Sequence, residues 1–219
     1  MEFKIDLKIF IFLIIFYFTK QIEIFSIIIF FSIIHELGHL LFGILLGMKP
    51  QKMKLMPVGL SISFKLDTKN YNKKIKKGNL LELKKIIVAL AGPLTNFIII
   101  ILVNFININF IDGLVIIYTN ILIIIFNLIP IYPLDGGRIL KGILYINFGK
   151  KISEELINKI SIITICILTI ISSILILYLK NINIILILSY LWFLVLNENS
   201  KFIRRKEIYL KIEESKKTH

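Results

Sequence analysis

The chain has 219 residues, 57% of them hydrophobic, with a mean hydropathy of +0.84 and a formal net charge of +13. That hydropathy excludes an ordinary soluble domain of this size. The single cysteine, Cys166, excludes an intrachain disulfide and so implies no oxidising compartment.

In chain order, six apolar segments stand out, at 5–19, 24–47, 86–110, 114–130, 160–179 and 182–197. Most approach the ~20 residues needed to cross a bilayer as a helix. The first and fourth are short, and the last two are separated only by "LKNIN". The first has Lys4 and Lys8 ahead of an apolar run, as a signal peptide would. No small-residue cleavage site follows it, so it reads as a helix that is kept. Between segments two and three, "LSISFKL" alternates β-forming residues and is bounded by Pro57-Val58-Gly59 and Asp67. It predicts a short β-hairpin or strand near the cytoplasmic face. The run "KNYNKKIKKGN" reads as a solvated, lipid-facing loop. The charged tail, 201–219, reads as a helical extension of a core spanning 1–200. The expected fold is therefore an all-α polytopic membrane protein of about six transmembrane helices with that one β element.

Charge placement supports the count and sets the orientation. With the N-terminus cytoplasmic and all six segments crossing, every Lys and Arg among the 27 except Lys20 and Lys180 falls on the cytoplasmic side. That is the bias expected of a multi-pass cell-membrane protein with both termini inside. It also accounts for the net charge through topology and lipid headgroups, so no nucleic-acid partner is expected.

Segment two carries "IIHELGHLLFG", residues 33–43. On a helix, His35 and His39 at i and i+4 share one face, close enough to chelate one ion. Glu36 stands beside them, where it can accept a proton from an attacking water. Composition alone would generate such a pentapeptide about 0.002 times in this chain. Three ionisable groups on one turn of a membrane helix also need a ligand to justify their cost. A catalytic zinc normally takes three protein ligands, and the only remaining histidine is the terminal His219. Among Asp6, Asp67, Asp112 and Asp135, the last stands out, in "NLIPIYPLDGGR" just after segment four. Segments two and four run in the same direction, which brings Asp135 to about the depth of the pentapeptide. Pro130 and Pro133 stop a helix there, and Gly136 and Gly137 permit unusual backbone angles. Gly43 and Gly47 form a G-x-x-x-G, read as close helix packing. Gly92-Pro93 with Asn96 reads as a kink in segment three, with packing as its default role.

Together, "IIHELGHLLFG", "AGPLTNF" and "NLIPIYPLDGGR" resemble the site-2 protease family of intramembrane zinc metalloproteases. The short form and the spacing look most like the bacterial stage IV sporulation protease that processes a membrane-tethered pro-sigma factor. The resemblance covers most of residues 24–200. It implies Zn2+ held by His35, His39 and Asp135, with Glu36 as catalytic base. It also implies a substrate cleft shaped by Asn127, Pro130 and Pro133. Asn127 is placed to hydrogen-bond the substrate backbone or the oxyanion, and an exposed strand edge is placed to hold an unwound substrate by β-addition. The implied partners are a membrane-embedded or membrane-tethered protein substrate, the lipid bilayer and a membrane inhibitory protein. Residues 201–219 are too few for the cystathionine-beta-synthase-type domain common in the sporulation branch, and no insertion would hold a PDZ domain. The competing reading is a catalytically silent membrane regulator or a zinc-dependent transporter. A transporter would spread its ionisable groups over several helices, whereas here they cluster in two segments.

Overall fold

The computed structural model describes residues 2–5, 10, 13–14, 17–18, 20, 22–56, 59–65, 75–103, 105, 112–179 and 183–217. Most of segment one, Pro57-Val58, Asp67 and the first half of the lysine-rich loop lie outside the described residues. The chain divides into two compact units, Met1–Leu128 and Ile129–His219.

Among the described residues, the first unit combines a small sheet with three long helices. Strand β1 (Glu2–Ile5) pairs in parallel with β2 (Lys49–Met56), which pairs antiparallel with β3 (Gly59–Lys65). The expected hairpin is present as β2–β3, and β1 adds a third strand that the sequence did not announce. In the order β1-β2-β3 the last strand is an edge. Helix α1 spans Ile22–Leu45, α2 Ile75–Val103 and α3 Gly113–Leu128. Helix α2 begins about ten residues before the apolar run, because the lysines, leucines and glutamate of "IKKGNLLELKK" favour the helix and outweigh Gly78 and Asn79. Asp112 caps α3: its Oδ1 accepts the Leu114 N–H at 3.0 Å and its carbonyl accepts that of Val115 at 3.0 Å. Phe31, Ile116 and Ile123 form the apolar centre of the unit, with Ile27, Ile34, Ile99 and Val103 packed around them.

The glycines of segment two have different roles from the one their spacing proposed. Gly47 adopts φ 75°, and α1 ends in a Schellman motif, with Met48 N–H bonded to Gly43 O and Gly47 N–H to Ile44 O. Gly43 packs against the ring of Phe64 on β3, where a side chain of its own would collide. It therefore seats the sheet on α1 rather than one helix on another. The close helix contact falls at Gly38, against Thr95 and the Ala91 carbonyl of α2. Helix α2 runs on through Pro93 without a break.

The second unit is a helical pair. Helix α4 covers Asp135–Leu179 and is interrupted at Gly149, whose φ of 79° is open to glycine at little cost. Helix α5 covers Asn183–Lys217, so the charged tail is a helical extension, as expected. Residues 131–159, which lie between the fourth and fifth apolar segments, are helical from Asp135 onward apart from Gly149. Asn158 Nδ2 donates to Asn199 Oδ1 at 2.9 Å, and Trp192 Nε1 donates to Thr169 Oγ1 at 3.0 Å, joining α4 to α5.

Among the described residues, three helices are long and apolar enough to cross a membrane: Ile22–Leu45, Asn79–Val103 and Asp135–Tyr178. Helix α3, at 16 residues, is about 24 Å long and falls short of a ~30 Å hydrocarbon core unless the bilayer thins. Large apolar side chains such as Phe30, Leu41, Phe97, Leu122 and Ile174 lie exposed on these helices, as lipid-facing residues would. The protein is membrane-associated.

Candidate metal centre

The "HELGH" turn lies mid-helix in α1, and the 3.6-residue period puts both imidazoles on the face turned to α2. His35 and His39 are each 2% exposed. Burial to that degree makes the partner of each ring nitrogen decisive. His39 Nδ1–H donates to the Val88 carbonyl at 2.6 Å. The Gly92 N–H also approaches that nitrogen, at 3.3 Å. A carbonyl can only accept, so the shorter contact settles the proton on Nδ1. His35 Nδ1–H donates to Asn96 Oδ1 at 2.9 Å. Both rings are thereby held with Nε2 as the unprotonated nitrogen, and the two Nε2 atoms stand 3.2 Å apart.

Two acceptor lone pairs at that distance repel each other unless a cation or a proton lies between them. Tetrahedral zinc with Zn–N bonds of ~2.0–2.1 Å separates two nitrogens by about 3.3–3.4 Å, close to the spacing seen. Space for an ion is kept by Gly92, since a β-carbon there would lie against Nε2 of both histidines. The donor set, its tautomers and the open position all fit Zn2+. The contact at Gly38 explains how the arrangement arises. Because α1 and α2 approach backbone to backbone there, Val88 and Asn96, some two turns apart on α2, reach the two histidines.

Glu36 is half-buried on the same turn. In the second unit, Asp135 begins α4 and is 4% exposed, with Arg138 Nη1 3.5 Å from its Oδ1. The non-helical stretch before it, 129–134, carries Pro130 and Pro133, both half-buried. Its backbone is held by the Tyr132 N–H, which donates to Ser161 Oγ at 3.1 Å, and by the Leu134 N–H, which donates to Ile131 O. Gly136 and Gly137 are helical and need no unusual angle. Gly137 is instead required by closeness, because a β-carbon would strike the backbone of Ile131 and Tyr132. Asn127, expected to face substrate, donates its amide to the Ile123 carbonyl one turn back at 3.0 Å. In this state its donor is turned to its own helix.

Sequence reasoning missed the residues that hold the histidines. Asn96 was read as part of a kink, and Asn120 was not singled out. Both are 0% exposed, and Asn96 Nδ2 donates to Asn120 Oδ1 at 2.9 Å. The available signal was an amide in each of two apolar segments, a placement that costs free energy unless the amide has a partner.

Comparison with known proteins agrees with this geometry. The model of peptidase family M50 matches residues 23–113 and 108–171. A protein of Methanocaldococcus jannaschii named as a zinc metalloprotease is 38% identical over 132 residues, which is 56% of this chain. The matched part is 35% of that relative's length, so the chain corresponds to about a third of it. The solved structure of a site-2 protease from the same organism superposes with a TM-score of 0.60 at 27% identity, over 90% of this chain and 91% of that one. With two histidines set for a metal near the start of the matched region, the chain belongs to peptidase family M50, the site-2 protease family.

Proposed function

We propose that the protein is an intramembrane zinc metalloendopeptidase that cleaves a peptide bond within or beside a membrane segment of its substrate. The observation that carries this is the pair of Nε2 atoms 3.2 Å apart, each set by a bond at the opposite ring nitrogen. Structural histidines have no need of two facing acceptors.

In this reading His35, His39 and Asp135 hold the ion. The burial of Asp135, 4% exposed with Arg138 beside it, supports its part, since a buried carboxylate is held by cations. Zinc supplies Lewis-acid activation of the attacking water and of the scissile carbonyl. Glu36 takes the proton from that water and returns it to the leaving amine. Asn127, freed from Ile123 O when substrate enters, donates to the substrate carbonyl, and the turn carrying Pro130 and Pro133 forms one wall of the cleft. The outer edge of β3 pairs with the unwound substrate. Membrane-tethered pro-sigma factors are candidate substrates, on the strength of the motif spacing. Six spans with both termini cytoplasmic remain the best account of the charge distribution. Reporter fusions after residues 112 and 180 should then read external, and fusions after 150 and 210 cytoplasmic.

The deciding experiment is Glu36→Gln, assayed by co-expression with membrane-tethered candidate substrates. The variant keeps both histidines and should retain native zinc content. Its cleavage rate should fall by ~10²–10⁴, the usual worth of a general base. A regulator or transporter would be indifferent to this change, so full cleavage or full complementation by the variant refutes the protease reading.

A further inference from the structure

The bonds behind His35 continue past Asn96. Asn96 Oδ1 accepts from His35 Nδ1–H, Asn96 Nδ2 donates to Asn120 Oδ1, and Asn120 Nδ2 donates to the Ile116 carbonyl at 2.8 Å. The distances are 2.9, 2.9 and 2.8 Å, and Asn96 and Asn120 are fully buried. The chain of bonds has a direction because it ends on a backbone carbonyl, which can only accept. Turning the Asn120 amide over would set its oxygen against Ile116 O. Turning Asn96 over would set its oxygen against that of Asn120 and present an N–H to His35 Nδ1. The His35 proton would then have to move to Nε2, the nitrogen that faces His39.

We propose that Asn120, which touches neither histidine, is a positioning residue that fixes the tautomer of His35 through Asn96 and so keeps Nε2 ready for the metal. This rests on the reading that His35 binds the metal, and it deepens that reading. His39 provides the contrast within the same turn. Its Nδ1 bonds directly to the Val88 carbonyl, an acceptor that cannot be turned over, and needs no relay. Alanine or leucine at 120 would keep α3 helical and apolar yet release Asn96 to rotate about its side-chain amide torsion. Asp at 120, as the protonated acid suited to so buried a place, would accept from Asn96 Nδ2 on one oxygen and donate to Ile116 O from the other.

The test uses the full chain, 15N-labelled at histidine, stripped of metal and reconstituted in lipid nanodiscs. With three histidines in the sequence the nitrogen spectrum is simple. In the native chain both His35 and His39 should carry a proton on Nδ1, and any proton held between the two Nε2 atoms is shared by both rings. In Asn120→Leu the His35 signals should move to the Nε2–H form or a mixture while those of His39 stay. Zinc affinity should drop by about 10–100-fold, the usual effect of changing a group that orients a ligand. Asn120→Asp should restore both the His35 tautomer and most of the affinity. The proposal is overturned if His35 keeps its tautomer in Asn120→Leu. It is overturned equally if His35 and His39 change together, which would make Asn120 a general packing residue, or if Asn120→Asp is as damaging as Asn120→Leu. Because the tautomer is read without metal or substrate, this test can succeed even where Glu36→Gln refutes the protease reading.

Discussion

The two compact units bury their polar side chains in different ways. In the first, the buried polar groups are linked: His35, Asn96, Asn120 and a backbone carbonyl form one continuous run across three helices. In the second, the links between helices end at once or pass through a hydroxyl: Asn158 pairs with Asn199, Arg205 Nε lies 3.4 Å from Glu154 Oε2, and Trp192 Nε1 donates to Thr169 Oγ1, which donates to the Ile165 carbonyl at 2.7 Å. A hydroxyl turns to suit its neighbours, and a lone amide pair staples two helices without setting anything beyond itself. A linked run of amides ending on a fixed acceptor passes an orientation along its length. The difference marks where the molecule needs a defined proton position and where it needs only adhesion.

The largest effect on this comparison is expected at Asp135, the buried carboxylate of the second unit that is proposed to complete the metal site. Asp135→Asn should remove most bound zinc and nearly all cleavage, measured by metal analysis and substrate processing. Asp112→Asn should be silent in both, because asparagine caps a helix as well as aspartate. If Asp135→Asn kept its metal, the third ligand would lie elsewhere and the second unit would be purely structural.

Next comes the space between the histidines. Gly92→Ala places a methyl group where both Nε2 atoms converge. Zinc affinity should fall by at least the ~10–100-fold seen when orienting groups are changed, with little loss of helix content by circular dichroism, since alanine favours the helix over glycine. Unchanged affinity would show that the ion sits away from the α2 face.

The smallest effect is expected in the second unit. Trp192→Phe deletes one bond to Thr169 and should cost about 1 kcal/mol of stability, read as a modest shift in a detergent or denaturant unfolding curve. Zinc content should not change. A large fall in metal binding would mean that the staples also transmit orientation, and the contrast between the units would collapse.

Much of this was legible in the chain itself. The i, i+4 spacing of His35 and His39 with Glu36 between them declared a metal turn, because helical geometry makes neighbours of residues four apart. The apolar segments declared helices, and α1 and α3 follow theirs closely, whereas α2 and α4 begin well before theirs and α5 runs well past its own. The alternation in "LSISFKL" declared β3, and the charged tail declared its helix. What remained hidden depended on contacts between segments distant in sequence. Gly43 and Gly47 have the spacing of a helix-packing motif, yet one seats a phenylalanine from a strand and the other turns the chain at a helix end. Gly137 looked like conformational freedom and proved to be proximity.

The sequence alone determined which residues can bind a metal and which segments are too apolar for water. Each of these is a property of residue type and short spacing. Only the tertiary structure decided which imidazole nitrogen carries the proton. That choice belongs to Val88 O for His39 and to Asn96, and through it Asn120, for His35. These partners lie 49, 61 and 24 positions away from the residues they bond, and a proton on a ring follows whichever acceptor packing brings within reach.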